Sequence, residues 1–239
     1  MPDPIQSLCE HGQRALLATE YPAAERFLAA AESLAWRAKD YDALARLYMP
    51  LQEARRQRRQ QSSDGPFVTR MLADTAEALD LAGNSKRGQF IIAGRASVVP
   101  AVLLRAAAAQ RGLVFDVPLA AAYRADGQPF VLLVPTPATV LPFDIEYTVD
   151  ALMRAIPVGA VLTPADALPP DTRQGDAATF GYVMSLWEQL HAPLLAAADA
   201  LPDGDAKIDA YRKTIRVDYA CEFAHQRLSE TARRLSRKK

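Results

Sequence analysis

The sequence is poor in cysteine, has no excess of either charge and contains no long apolar run. Its two cysteines, Cys9 and Cys221, are too few for a disulfide framework, which indicates a reducing compartment. Lysine and arginine total 28, and aspartate and glutamate also total 28. This balance argues against a protein whose main task is to bind nucleic acid or an anionic membrane.

Segments that would direct the chain to a membrane are also lacking. No stretch approaches the roughly 20 apolar residues that a spanning helix needs. The charged N-terminal region lacks the apolar run of a signal peptide. We therefore expect a cytoplasmic protein with no membrane partner.

Alanine-rich amphipathic segments dominate the first third of the chain. Alanine favours helix because it loses no side-chain entropy on ordering. The apolar spacing predicts helices at 5–19, 22–39, 41–60 and 67–81, the third of them kinked or interrupted at Pro50.

The hydrophobic period changes in the middle of the chain. Short apolar runs bounded by turn residues predict strands at 89–93, 113–117, 120–123, 130–134 and 158–162. Asp126-Gly127 predicts a hairpin turn, because these residues accept a positive φ. Helices are predicted at 97–110 and 144–156, the second capped by Asp144.

The C-terminal third returns to helical spacing. Helices are predicted at 176–201 and 205–235, and their short connection makes them antiparallel neighbours. The sequence therefore predicts a mainly helical α+β fold. Its predicted parts are N-terminal helical hairpins at 1–62, a linking helix at 63–86, a small mixed α/β sheet at 87–164, a linker at 165–175 and a C-terminal helical hairpin at 176–239.

The first two predicted helices carry small and apolar residues in a recurring order: Leu8, Gly12, Ala24, Leu28 and Ala31. In this order residues 8–60 resemble tetratricopeptide repeats, although His11 stands where leucine is usual. The resemblance implies a concave helical face that binds a protein partner. Because solenoids need about three repeats to be stable alone, these helices must pack on the C-terminal helices or on another chain.

Two Glu-x-x-His motifs lie on the last two predicted helices. Glu188 with His191, and Glu222 with His225, place a carboxylate and an imidazole on one helix face, as carboxylate-bridged di-iron bundles do. Such bundles need two further glutamates and do not place the motifs on consecutive helices. Structural histidines are the competing interpretation.

Cys221 and His225 are one helical turn apart, which is a spacing for an activated thiolate. A buried, inert cysteine is the alternative, because free cysteine is among the most buried residue types. A zinc site of Cys9, His11, Cys221 and His225 is a further hypothesis, although its spacing matches no standard zinc motif.

Gly94, Arg95 and Ser97 lie between a predicted strand and a helix, where backbone N–H groups collect anions. Thr136 follows another predicted strand and is expected to face the same crevice. Together they predict a site for a small anionic ligand. The alternative is an ordinary strand-to-helix turn that needs glycine for its geometry.

A dense basic run, residues 55–59, lies near the end of the third predicted helix. It is either a solvated helix end or a contact surface for RNA or an acidic partner. The absence of interleaved aromatic residues argues against nucleic acid.

Three functions follow from these patterns. A non-enzymatic interaction or scaffold module, without a cofactor, is favoured because no dense catalytic cluster is present. Its partner is another protein or a second copy of the chain. The alternatives are a regulator that binds an anionic ligand at Gly94–Ser97, and a metal-dependent enzyme that uses the paired Glu-x-x-His helices.

Overall fold

The structure is a computed structural model that describes residues 3–72, 76–81, 85–139, 141 and 147–238. In chain order its helices and strands are α1 (Pro4–Leu17), α2 (Tyr21–Ala38), α3 (Tyr41–Ser63), β1 (Phe67–Leu72), α4 (Ala76–Leu81), β2 (Arg87–Arg95), α5 (Val99–Arg111), β3 (Val114–Asp116), β4 (Ala120–Ala125), β5 (Gln128–Leu133), α6 (Val149–Ala155), β6 (Val161–Pro164), α7 (Ala177–Asp199), α8 (Asp205–Val217) and α9 (Glu222–Ser236). The predicted mainly helical α+β class is confirmed.

The chain divides into two compact units. The helical unit comprises Met1–Arg58 and Leu194–Lys239, and the sheet unit comprises Arg59–Pro193. The boundaries fall within α3 and α7. None of the described helices is long and apolar enough to cross a membrane.

Local signals place the first helices of the helical unit. Asp3 caps α1 by accepting a hydrogen bond from the Ile5 N–H, and Pro4 occupies its first turn. The α2 helix ends at Lys39, which has a left-handed φ of 53°. Asp40 then caps α3 through the Ala43 N–H. The predicted interruption at Pro50 is wrong, since α3 runs from Tyr41 to Ser63 and its residues on both sides of Pro50 pack in the core.

The core of the helical unit joins both ends of the chain. The buried stripe of α2 and the apolar residues of α3 pack in one cluster with α8 and α9. Its largest fully buried side chains include Leu28, Leu44, Tyr48, Leu51 and Tyr211. The N-terminal helices therefore bury their stripes against the C-terminal helices, which is one of the two arrangements expected from the sequence.

Gly12 provides the close contact between α1 and α2. A Cβ atom at this position would lie 2.5 Å from Leu28 Cγ, and Leu28 is itself fully buried. Replacing Gly12 with valine is therefore expected to lower the free energy of unfolding of the helical unit by about 1–2 kcal/mol, because overpacking a filled core costs this much. Chemical denaturation monitored by Trp36 fluorescence, in a Trp187→Phe background, measures the loss.

The matched control for this substitution is Arg14→Val, which introduces the same side chain at an exposed position of α1. It has no overlap with Leu28 and only the modest loss of helix propensity from arginine to valine, so the change is expected to stay within about 0.7 kcal/mol. Equal losses in the two variants would show that the contact between Gly12 and Leu28 is not tight.

The sheet unit is built on a mixed sheet with the described strand order β1-β2-β4-β5-β6, and β3 also pairs with β2. Strands β1, β3 and β4 run parallel to β2, whereas β5 is antiparallel to β4 and β6 is antiparallel to β5. The predicted hairpin between β4 and β5 is confirmed. Asp126 and Gly127 have φ angles of 47° and 75°, as a two-residue hairpin turn requires.

Both faces of the sheet are covered, so β2 is buried along its interior positions. Phe90 and Ile92 face a cluster that includes Ala101 and Leu104 of α5. Because side chains alternate along a strand, Gln89 points to the opposite face. The register there pairs Gln89 with Asp116.

A buried ionic cluster lies on that second face. The carboxylate of Asp116 is fully buried and accepts hydrogen bonds from Trp187 Nε1 at 3.1 Å and Gln89 Nε2 at 3.5 Å. Arg59 Nε lies 3.3 Å from the same oxygen, and its guanidinium stacks over the Trp187 ring at 4.7 Å. A buried carboxylate is tolerated here because a cation and two donors surround it.

The predicted helix at 67–81 is wrong for its first half. Residues Phe67–Leu72 form β1 and pair in parallel with β2 along their whole length. The local spacing of apolar residues contains no information about a partner strand more than twenty residues away. Pairing with that buried strand determines the conformation of Phe67–Leu72. The predicted cap at Asp144 lies outside the described residues.

Two C-terminal predictions also need correction. The predicted linker is ordered and lies against β1 at the edge of the sheet. The Thr172 N–H donates to Phe67 O at 2.9 Å, and Asp171 accepts from the Thr69 N–H. The last predicted helix is broken into α8 and α9 at Asp218. The buried Asp218 carboxylate accepts from the Ala220 N–H at 3.1 Å, and such local capture competes with helix continuation.

Candidate functional site

A groove in the helical unit runs between α1 and α3, with α2 beneath it. It encloses a cavity of about 90 Å³ lined by Asp3, Ile5, Gln6, Cys9, Gln13, Leu28, Ala43, Arg46, Leu47 and Pro50. The lining residues of each helix recur at three- and four-residue intervals, so each helix presents one face. We call this feature the α1–α3 groove.

The α1–α3 groove has an apolar floor and a polar rim. Leu28, Ala43 and Leu47 are buried and form part of the floor. Asp3, Gln6, Gln13 and Arg46 are exposed. A small apolar pocket surrounded by polar groups is typical of a site that receives a partner's anchoring side chain.

Cys9 is the half-buried thiol of this groove, whereas Cys221 is buried. Burial raises the pKa of Cys9 above its usual value. The Arg46 charge acts against that shift, and the carboxylates of Asp3, Asp40 and Glu10 reinforce it. A thiol with a raised pKa is a poor nucleophile, so Cys9 is better suited to lining a pocket than to catalysis.

Carboxylates also form hydrogen bonds and ion pairs with residues that line the groove. Gln6 Nε2 donates to Glu10 Oε1 at 2.9 Å. Arg46 forms an ion pair of 3.1 Å with Asp42, and both side chains are largely exposed. The rim therefore carries more negative than positive charge.

A partly buried polar network holds α3 against α2 and α9. Arg55 Nε donates to Glu25 Oε1 at 3.0 Å, and Arg58 binds the other oxygen of Glu25 at 2.6 Å. Arg55 Nη1 also contacts His225 Nε2 at 3.1 Å. These contacts fix the helix that forms one wall of the α1–α3 groove.

His225 is neutral in this network. Its Nδ1 lies 2.7 Å from the Cys221 carbonyl oxygen, which only accepts, so Nδ1 carries the proton and Nε2 accepts from Arg55. Burial lowers the pKa of His225 to about 3, and the neighbouring Arg55 charge acts in the same direction. The backbone contact with Cys221 and the charge of Asp218 oppose the shift.

A second network ties α2 and α3 to α8. Tyr48 donates to Glu32 Oε1 at 2.6 Å, and Arg212 Nε donates to the same oxygen at 2.5 Å. Burial raises the pKa of the Tyr48 hydroxyl well above its usual value, and the Glu32 charge adds to the effect. Tyr48 is therefore a structural donor at physiological pH.

The predicted anion site is not assembled as expected. Strand β5 runs antiparallel to β4, and β4 is parallel to β2. Arg95, at the C-terminal end of β2, pairs with Ala122 of β4. Thr136 follows the C-terminal end of β5, and it lies beyond the other end of β4, past the pairing of Leu133 with Ala120. The expectation that Thr136 faces the crevice of Gly94, Arg95 and Ser97 is therefore wrong, because the two strand ends point to opposite edges.

The turn after β2 also uses its backbone donors internally. Gly94 and Ser97 exchange N–H···O bonds of 3.0 and 3.2 Å, and Ala96 N–H donates to Ala122 O. The Val99 N–H donates to Ser97 Oγ. A Cβ at Gly94 would lie 2.9 Å from the Pro100 ring, which gives the glycine a packing role.

The two Glu-x-x-His motifs fall in different units. Glu188 is exposed and His191 half-buried on α7, whereas Glu222 is exposed and His225 fully buried on α9. Both ring nitrogens of His225 are already engaged, so metal coordination by His225 would require the loss of one contact. The paired metal site stays a prediction.

The other cysteine hypotheses are not supported by the geometry. His225 bonds the carbonyl oxygen of Cys221, not its thiol, and Cys221 stands at the N-cap of α9 and not in mid-helix. Within the described part of the helical unit, Cys9, His11, Cys221 and His225 do not form a cluster that could hold a metal.

The basic run at residues 55–59 is neither a solvated helix end nor an open cationic surface. Arg55 and Arg58 bind Glu25, and Arg56 binds Glu53 at 3.0 Å. Arg59 is 3% exposed beside Asp116. Glu25 and Asp116, the partners of Arg55, Arg58 and Arg59, lie far away in sequence, which is why charge density alone suggested solvent exposure.

No protein family model, curated protein or solved structure matches this chain. Its function therefore rests on the geometry of its own residues.

The residues of the α1–α3 groove were not singled out from the sequence. One signal was present, because Gln6, Cys9 and Gln13 and then Ala43, Leu47 and Pro50 follow helical spacing on two neighbouring helices. Each of these amphipathic helices also carries a more hydrophobic stripe that packs in the core. That stronger sequence pattern obscures the weaker pattern of the groove residues.

Proposed function

We propose that this chain is a non-enzymatic protein-interaction module whose α1–α3 groove binds a short segment of a partner protein. The observation that carries the proposal is the apolar-floored cavity of about 90 Å³ between α1 and α3. Small-molecule sites usually enclose about 300–1,000 Å³. The cavity is of the size that accepts one anchoring side chain.

The position of the groove supports the same function. It lies between α1 and α3, which the resemblance of residues 8–60 to tetratricopeptide repeats would make the first helices of two successive repeats, and that resemblance implies a partner-binding face. The partly buried networks of Arg55 and Arg212 hold α3, one wall of the groove, to α9, and hold α2, which lies beneath the groove, to α8. A preformed groove loses less conformational entropy on binding than a mobile one.

Cys9 makes the proposal directly testable. It is a half-buried thiol in the groove, and the second thiol, Cys221, is 2% exposed. Peptides selected on the wild-type chain from a random displayed library are expected to slow alkylation of Cys9 by about tenfold at saturation, because a buried anchor excludes solvent and reagent. The rate is read by mass spectrometry of the labelled chain.

A substitution at the rim provides the matching loss of function. Gln13→Trp places a large side chain over the groove from an exposed position and is expected to weaken binding of the selected peptides by about tenfold or more. Arg14→Trp adds the same side chain outside the lining residues and is expected to change affinity by less than about twofold. Selected peptides that bind both variants equally and leave Cys9 reactive would refute the groove as the binding site.

A further inference from the structure

We infer that the segment bound in the α1–α3 groove carries an aliphatic side chain adjacent to a lysine or arginine. This inference rests on the proposed function and specifies its partner. Its two parts come from the floor and from the rim of the groove.

The floor favours an aliphatic anchor. Ile5, Leu28 and Leu47 supply branched aliphatic contacts, and the cavity of about 90 Å³ lies between them. A liquid water occupies about 30 Å³, and an engineered cavity that binds benzene is about 150 Å³. The volume therefore suits an aliphatic side chain such as leucine or valine better than an aromatic ring.

The rim favours a cation beside that anchor. Asp3 lines the groove, and Glu10, Asp40 and Asp42 each bond directly to a lining residue. Arg46 is the one cation among the lining residues and these partners, and Asp42 already pairs with it. The three carboxylates that remain give the rim a net negative charge.

This charge discriminates between partner segments. A lysine or arginine next to the anchor is attracted by the carboxylates of the rim, which raises the affinity and the association rate. An acidic residue at the same place meets like charge, which suppresses the wrong partner. The exposed position of Asp3 and Glu10 makes the preference sensitive to salt.

The test uses three synthetic peptides that share a central leucine and differ only in its neighbours: lysine, glutamine or glutamate. Affinity is measured by fluorescence anisotropy, and occupancy of the groove by protection of Cys9 from alkylation. The lysine peptide is expected to bind about tenfold more tightly than the glutamine peptide, and the glutamate peptide more weakly than both. A roughly tenfold rise in salt concentration is expected to remove most of the difference.

A pair of matched variants tests the source of the preference. Asp3→Asn with Glu10→Gln removes two charges but keeps an amide oxygen for the α1 cap and for Gln6. This double variant is expected to reduce the lysine-over-glutamine preference to about twofold. Glu20→Gln with Glu230→Gln makes the same change in net charge at exposed positions outside the lining residues, and is expected to retain the preference.

The outcomes separate this inference from the proposed function. Protection of Cys9 by the glutamine or glutamate peptide at equal or higher affinity would overturn the cationic partner and leave the groove as a binding site. Failure of all three peptides, together with failure of library-selected peptides, to protect Cys9 would overturn both. A lysine preference that survives in the Asp3→Asn, Glu10→Gln variant would place the preference elsewhere and contradict the inference.

Discussion

Replacement of Asp116 with alanine is expected to lower the free energy of unfolding of the sheet unit by about 3–5 kcal/mol, because it removes one member of a buried ion pair, the carboxylate beside Arg59. The same change removes the acceptor of the Trp187 and Gln89 hydrogen bonds. Chemical denaturation in a Trp36→Phe background measures the loss, since Trp187 then reports on the sheet unit alone.

Two further variants make this result specific. Asp80→Ala removes a carboxylate from an exposed position of the same unit and is expected to change stability by less than about 0.5 kcal/mol. The double variant Arg59→Met with Asp116→Leu replaces the pair with apolar groups and is expected to recover a large part of the loss, since such replacements are often neutral. A loss in Asp116→Ala no greater than that in Asp80→Ala would contradict the buried ionic cluster.

Acid is expected to destabilise the helical unit through His225. In the unfolded chain the imidazole takes up a proton near pH 6.5, whereas burial beside Arg55 holds the pKa of the folded state at about 3. Between these values the unfolded state binds more protons, so stability falls as the pH falls. At about 1.4 kcal/mol for each pH unit, the loss reaches about 3 kcal/mol between pH 6.5 and about pH 4.

His225→Gln isolates this contribution from the titration of the carboxylates. The amide is neutral at every pH and can accept from Arg55 and donate to the Cys221 carbonyl oxygen, as the imidazole does. We expect the variant to lose about 3 kcal/mol less than the wild type over the same pH range, read from denaturation curves followed by Trp36 in a Trp187→Phe background. His11→Gln alters an exposed imidazole on α1 and is the matched control. Parallel pH profiles for the wild type and His225→Gln would contradict the buried, neutral state of His225.

The site illustrates which parts of a helical surface a sequence reveals. The sequence predicts one apolar stripe on α2, and its members differ in burial. Ala24, Leu28, Ala31 and Ala35 are buried, whereas Leu34 is half-buried and Phe27 is exposed. The α1–α3 groove was not predicted, because its floor combines Leu28 with residues of two other helices. A pocket between helices depends on how close the helices lie, and the contact of Gly12 with Leu28 sets that distance for α1.

Charged residues were the least predictable. The run at residues 55–59 was interpreted from its local charge, yet Arg59 is enclosed by Asp116 and Trp187, which lie 57 and 128 positions further along the chain. Burial of an arginine depends on its partner, and the partner is found only when the chain is folded. The same holds for His225, whose neutral state results from burial in the folded chain and from the charge of Arg55 on another helix.

The sequence by itself determined the secondary structure wherever the signal is local. Alanine-rich stripes, the caps at Asp3 and Asp40 and the Asp126-Gly127 turn all act within a few residues, so composition and spacing are enough to place them. Only the tertiary structure decided that Phe67–Leu72 is a strand, that both ends of the chain share one core and that α1 and α3 enclose a groove. These features depend on contacts between segments distant in sequence. A short stretch of sequence contains no information about the energy of such contacts.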